Sequence, residues 1–185
     1  MIRHPAWLLL LAGLCITAVA GAAQGDGLLP GKVLRVIDGD TLDVLLSSGR
    51  IRVRLHGIDA PERDQPGGDE SRRWLQQRVQ DREVQLEPVS QDQYERMVAI
   101  VYLDDSNVNR ELLRQGHAWA YRNFLRRADR IFCDIEATAR AGRQGLWSAA
   151  PARAPWEHRR TRGRGPFTDF GRQSAGECWR QRRQT

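Results

Sequence analysis

The 185 residues leave room for one domain with a well-buried core plus appendages. The formal net charge of +6 is uneven: residues 153–185 hold nine Arg against Glu157, Asp169 and Glu177, so the tail is basic and the body is close to neutral. That excludes a uniformly basic domain. Lys32 is the only lysine, but a general preference for Arg would look the same, so this bias says nothing about phosphate binding.

Arg3 and His4 form a basic start, Trp7 to Ala20 is an apolar run, and Ala18-Val19-Ala20 is a small-x-small cleavage signal. Residues 1–23 therefore read as a signal peptide cut near Ala20 or Ala23, sending the chain to the periplasm or outside the cell. The alternative is an uncleaved membrane anchor, for which the run is at the short end of the roughly 17–25 residues needed. A lipoprotein reading of Cys15 is discounted because Leu14 stands where a small residue is expected.

A domain follows over residues 24–150. Val33 to Ile37 reads as a strand, Asp38-Gly39-Asp40 as a tight turn, and Leu42 to Leu46 as a second strand. Arg50 to Leu55 has the clearest period of two, with Ile51, Val53 and Leu55 on one face and three Arg on the other; Arg50 and Arg52 read as solvent face. Asp69 to Gln80 reads as a helix, Glu83 to Val89 and Met97 to Leu103 as strands, and Asn107 to Gly116 and Ala128 to Ala141 as helices. Five short strands with about three helices fit an α+β fold built on a small OB-type barrel. From Pro151 to residue 185 the composition shifts to an Arg-rich linker or basic tail, which Phe167, Phe170, Cys178 and Trp179 would partly dock.

Three segments carry chemistry: Ile37-Asp38-Gly39-Asp40-Thr41, Arg52 to Glu62, and Asp92-Gln93-Tyr94-Glu95-Arg96. Each has a bland reading. Asp38 and Asp40 favour a turn, Asp59 before Ala60-Pro61 is ordinary loop chemistry, Glu62 beside Arg63 is a solvated loop residue, and Arg54 is the exposed side of a strand. Taken together, two carboxylates leaving neighbouring strands can converge on one cation, and carboxylates, backbone carbonyls and waters suit Ca²⁺. Asp59 has only His56 nearby, and Cys133 and Cys178 are distant in sequence, which disfavours zinc. Carboxylates for a metal, a base for water and guanidinium forks for a phosphate are what phosphodiester cleavage needs.

In order and spacing these segments resemble the staphylococcal nuclease (thermonuclease) family, from about Lys32 to Trp147. The resemblance implies the OB-type barrel. It also implies Asp40, Asp59 and the backbone carbonyl of Ala60 as calcium ligands, with Asp38 near the metal as a second-tier position. Glu62 matches the residue that activates or orients the attacking water, and Arg54 and Arg96 match the arginines on the scissile phosphate. Tyr94 matches a phosphate-holding tyrosine, and Tyr121 one that lies against a base, although core packing is an equal reading of Tyr121. The family usually has Tyr-Gly-Arg where this chain has Tyr94-Glu95-Arg96, and glutamate resists torsions that glycine permits.

The implied activity is calcium-dependent endonucleolytic hydrolysis of DNA and RNA with little sequence specificity, leaving 3′-phosphate ends. The chain would act as a monomer with no stable protein partner. The rivals are a silent OB-type module that only binds nucleic acid, and an adhesin whose Arg-rich tail binds polyanions. Once the signal is removed, Cys133 and Cys178 are the only cysteines, and an oxidising compartment favours their pairing. The alternative is a buried Cys133, with Cys178 free or linking two chains.

Overall fold

Residues 27–148 and 151–181 are described by the computed structural model. The predicted signal segment lies outside the described residues.

The chain first builds an antiparallel meander of β1 (Leu29–Val36), β2 (Thr41–Leu46) and β3 (Gly49–Leu55). In β3 the side chains of Val53 and Leu55 turn inward, and Arg50 and Arg52 lie on the exposed side. After the short β4 (Ile58–Asp59) and the helix α1 (Gly68–Val79), β5 (Glu83–Gln91) returns against β1, and β6 (Met97–Leu103) pairs with β5. The register of β5 shifts between Pro88 and Ser90, an irregularity of the kind that accommodates a proline inside a strand. Parallel pairing of Val53, Arg54 and Leu55 with Met97, Val98 and Ala99 then joins β3 to β6. That closes a barrel of five strands.

The barrel interior is filled by Val33, Leu42, Val44, Val53, Leu55, Leu86 and Val101, each almost wholly buried, contributing about 1.5–3 kcal/mol apiece. After the two-residue β7 (Ser106–Asn107), α2 (Val108–Arg114) starts on an Asn107 cap that accepts from the Arg110 N–H. From its first turn the buried Asn109 accepts from the Val101 N–H and donates to the His56 carbonyl, bridging the two strands of the parallel seam. Further on, β8 (Trp119–Ala120) pairs with β4, placing Ile58 opposite Ala120 and Asp59 opposite Trp119. The helix α3 (Arg130–Ala141) covers this pair through Phe132 and the fully buried Glu136.

Beyond Pro151 the chain is more ordered than a linker. A proline in the first turn starts α4 (Pro155–Thr161), and a Ser174–Glu177 capping box starts α5 (Ala175–Arg180). Trp119, Trp147, Ala154 and Phe170 form a second apolar cluster, with Trp156 packed against it. This cluster is what fastens the tail to the domain.

Cys133 on α3 and Cys178 on α5 are joined by a disulfide. The loop-entropy argument assigns such a closure up to about 4 kcal/mol. The Cys133→Ser, Cys178→Ser protein should therefore have a lower melting temperature than the oxidised protein. Equal melting temperatures for oxidised, reduced and double-serine protein would show that the bond contributes nothing.

Candidate active site

The turn between β1 and β2 sets the first carboxylate. Asp38 accepts from the Asp40 N–H at 3.0 Å, and Gly39 is required because a Cβ there would lie 2.5 Å from the Ala60 Cβ and 2.8 Å from the Ser71 Cβ. The close packing drives Asp40 inward. Its Oδ2 accepts from the Ala60 N–H at 2.7 Å and its Oδ1 from the Thr41 hydroxyl at 3.1 Å. Asp38 itself is a turn-forming residue here.

Arg54, at the end of β3, joins the two aspartates. Its Nη1 is 2.8 Å from Asp40 Oδ2 and its Nη2 2.8 Å from Asp59 Oδ1, so both carboxylates lie within the span of one guanidinium. Nη1 also donates to the Ile58 carbonyl at 3.0 Å. Both aspartates are nearly fully buried. Burial pushes both carboxyls up from the usual carboxylate range, and Arg54 pulls them back only in part.

Glu62 follows on the loop into α1, where the Gln65 N–H donates to its carbonyl at 2.9 Å. The Gln65 side chain accepts from the Glu62 N–H and donates to the Arg153 carbonyl. Unlike the aspartates, the Glu62 side chain is partly open to solvent.

Arg96 occupies a different position. Its Nε donates to Asp92 Oδ2 at 2.7 Å, and its guanidinium lies 5.4 Å from the exposed Tyr94 ring. Both residues line a groove of about 540 Å³ that includes Asp38 and Thr41, on either side of Asp40, but neither Asp40 nor Asp59 itself. The departure at Glu95 is accommodated by the backbone: Glu95 has φ 61, in the region glycine favours, and Asp92 accepts from the Tyr94 and Arg96 N–H groups to hold the turn.

Arg50 and Arg52 are not merely the solvent face of β3. Together with Arg35 they donate to Asp43, whose side chain is 2% exposed. Burial pushes that carboxyl up, but bonds from Arg52, Arg50 and Arg35 outweigh it and hold it at about 2. A depressed carboxylate stabilises fully above its unfolded value near 3.8 and loses that stabilisation as the pH falls towards 2. Asp43→Asn should melt lower than wild type at neutral pH, and calorimetry should show the gap closing between about pH 4 and pH 2. A gap independent of pH would rule out this linkage.

The sequence reading missed Arg159. From α4 it donates to both oxygens of Asp59, at 3.1 and 2.8 Å, to Glu62 Oε1 at 2.8 Å and to the Tyr121 hydroxyl at 3.3 Å. Tyr121 stacks on Trp156 at 5.7 Å and 9° and packs against Phe124. The one sequence signal for this arrangement was Pro155-Trp156-Glu157, a helix start carrying an aromatic. His56 pairs with Asp129 at 2.8 Å.

Among the described residues no group of three or more His, Cys, Asp and Glu has the arrangement of a ready metal cage. The oxygens a cation could use are those of Asp40 and Asp59, all hard donors, now held by Arg54, Arg159 and the Ala60 N–H. That chemistry fits a hard divalent ion completed by backbone carbonyl and water.

A closed five-stranded barrel bearing buried carboxylates and guanidinium forks at one rim defines an OB-type protein of the phosphodiesterase kind. The family profile described as "Staphylococcal nuclease homologue" matches residues 52–149. The chain is 40% identical to "Protein ParB" of Escherichia coli over 85% of its own length and 93% of that protein's. It is 39% identical to "Micrococcal nuclease" of Shigella flexneri over 70% and 80% of the respective lengths. An "Uncharacterized endonuclease" of Escherichia coli O157:H7 is 38% identical over 68% and 82%. The chain belongs to the staphylococcal nuclease family.

Proposed function

We propose that this protein is a calcium-dependent endonuclease that hydrolyses DNA and RNA with little sequence preference, and that it is exported and works as a monomer. The observation that carries the reading is one guanidinium, Arg54, holding two buried carboxylates together beside a solvent-accessible Glu62. A relative named as a micrococcal nuclease supports the same reaction class.

In this reading Asp40, Asp59 and the Ala60 carbonyl would hold Ca²⁺. The bound ion supplies positive charge against the phosphate. Glu62 accepts a proton from the attacking water, and its partial exposure admits that water. Arg54 donates to the phosphate oxygens and stabilises the charge that accumulates on them. Arg96 and Tyr94 receive the polynucleotide from the groove, and Tyr121, bonded to Arg159, supports the nucleotide. The 5′ oxygen leaves and a 3′ phosphate remains. The basic tail adds sequence-independent attraction to polyanions.

The test is cleavage of plasmid and of RNA by the mature protein in Ca²⁺, in Mg²⁺ and in chelator. Cleavage is expected in Ca²⁺, with little in Mg²⁺, because Mg²⁺ demands near-ideal octahedral geometry and dehydrates reluctantly. Full activity in chelator would rule out the metal assignment. Binding of nucleic acid without cleavage under every condition would favour a silent barrel.

A further inference from the structure

The C-terminal segment is built to deliver Arg159 to the catalytic rim. Ala154 is fully buried and Glu157 nearly so, with Glu157 accepting from the Thr168 N–H at 3.0 Å. His158 bonds Asp64 at 3.0 Å, on the loop that carries Glu62. Trp156, three residues before Arg159 and hence on the same side of α4, lies edge-on to Trp119 at 5.7 Å and stacks on Tyr121. A purely electrostatic tail would need none of this packing.

The head of Arg159 lies on the open side of the cluster, and that of Arg54 beneath it: their side chains are 40% and 12% exposed. Arg54 bonds Asp40, Asp59 and a backbone carbonyl through its Nη nitrogens, Arg96 bonds Asp92 through its Nε, and Arg159 bonds both oxygens of Asp59 through its Nη nitrogens. Among the described residues Arg159 is the guanidinium in contact with Glu62. A phosphate placed for attack by water beside Glu62 lies within reach of Arg159 as well as of Arg54.

We propose that Arg159 is a third active-site arginine, supplied by the C-terminal helix, that binds the scissile phosphate and exchanges its bond to Glu62 for one to that phosphate. The exchange leaves a guanidinium on the substrate and frees a Glu62 oxygen for the water. No bond to carbon or phosphorus is made by the arginine, so it acts as a charge-assisted donor throughout. The inference rests on the nuclease reading and extends the catalytic machinery beyond residues 52–149.

Arg159→Gln and Arg159→Lys are compared with wild type on plasmid and on a short single-stranded oligonucleotide. The loss of one preorganised donor predicts kcat/KM lower by about 10²–10³ for Arg159→Gln. Arg159→Lys should stay severely impaired because a point charge cannot replace the fork. Adding guanidinium ion to Arg159→Gly should restore part of the activity, which a merely structural role would not allow. Ca²⁺ affinity, measured by calorimetry, should be unchanged or tighter in Arg159→Gln and Arg159→Gly, since a competing cation has left Asp59. Wild-type or higher activity in Arg159→Gln, or full activity in Arg159→Lys, would show that the residue is a plug or a pin and overturn the proposal alone. An inactive wild-type protein would overturn the nuclease reading and this proposal with it.

Discussion

Glu62→Gln is expected to lower turnover by about 10²–10⁴ while leaving Ca²⁺ and substrate binding close to wild type. The amide has the same shape and still offers an oxygen to Arg159, so the Pro61–Gln65 loop should keep its bond to Gln65. It cannot take a proton from water. Single-turnover cleavage of a supercoiled plasmid separates the chemical step from binding, and calorimetry follows the metal. Arg54→Lys makes a useful companion. Among the described residues Arg54 is the one side chain that bonds both Asp40 and Asp59, and a single ammonium cannot span them as a fork does, so this variant should lose both activity and metal affinity. Wild-type turnover in Glu62→Gln would remove the residue from the mechanism.

Glu136→Ala is expected to destabilise the protein by about 3–5 kcal/mol, the usual cost of removing one partner from a buried ion pair. Glu136 is fully buried on α3. Its Oε1 meets Arg122 at 2.9 Å and Arg140 at 3.4 Å, and its Oε2 accepts from the Ala120 N–H at 2.6 Å. Truncation leaves both guanidiniums in the interior without a carboxylate and one strand N–H without its acceptor. The effect should reach the catalytic rim, because Ala120 and Trp119 form the strand against which Ile58 and Asp59 are registered. Chemical denaturation should show the lower midpoint, and activity should fall at temperatures where the wild type is still folded. A loss below 1 kcal/mol would mean that water or relaxed side chains replace the carboxylate.

The packing of the tail changes what its removal means. As a loose basic segment it could be deleted with little effect beyond weaker polyanion binding. In the structure its deletion would uncover the Trp119 and Trp147 cluster and remove the disulfide partner of Cys133. Single substitutions at Arg159 therefore separate chemistry from folding better than truncation does.

What the sequence determined by itself was local. The alternation from Arg50 to Leu55, the Asp38-Gly39-Asp40 turn and the apolar spacing of the helices each follow from contacts within a few residues, and those contacts leave a periodic trace. Strand closure through Arg54 and Val98 was accessible only through the family resemblance, and the two-residue strands at Ile58 and Trp119 are too short to show any period. The tertiary structure alone decided which charges meet. Nine arginines after residue 152 are equivalent in the sequence, and only the aromatic packing of α4 selects Arg159 to stand on Asp59, a hundred positions away. The same holds for Asp43, surrounded by Arg35, Arg50 and Arg52, and for Glu136 between Arg122 and Arg140. Periodicity records which side of an element is buried. It does not record which charged partner waits on that side, because that depends on how distant segments close upon one another.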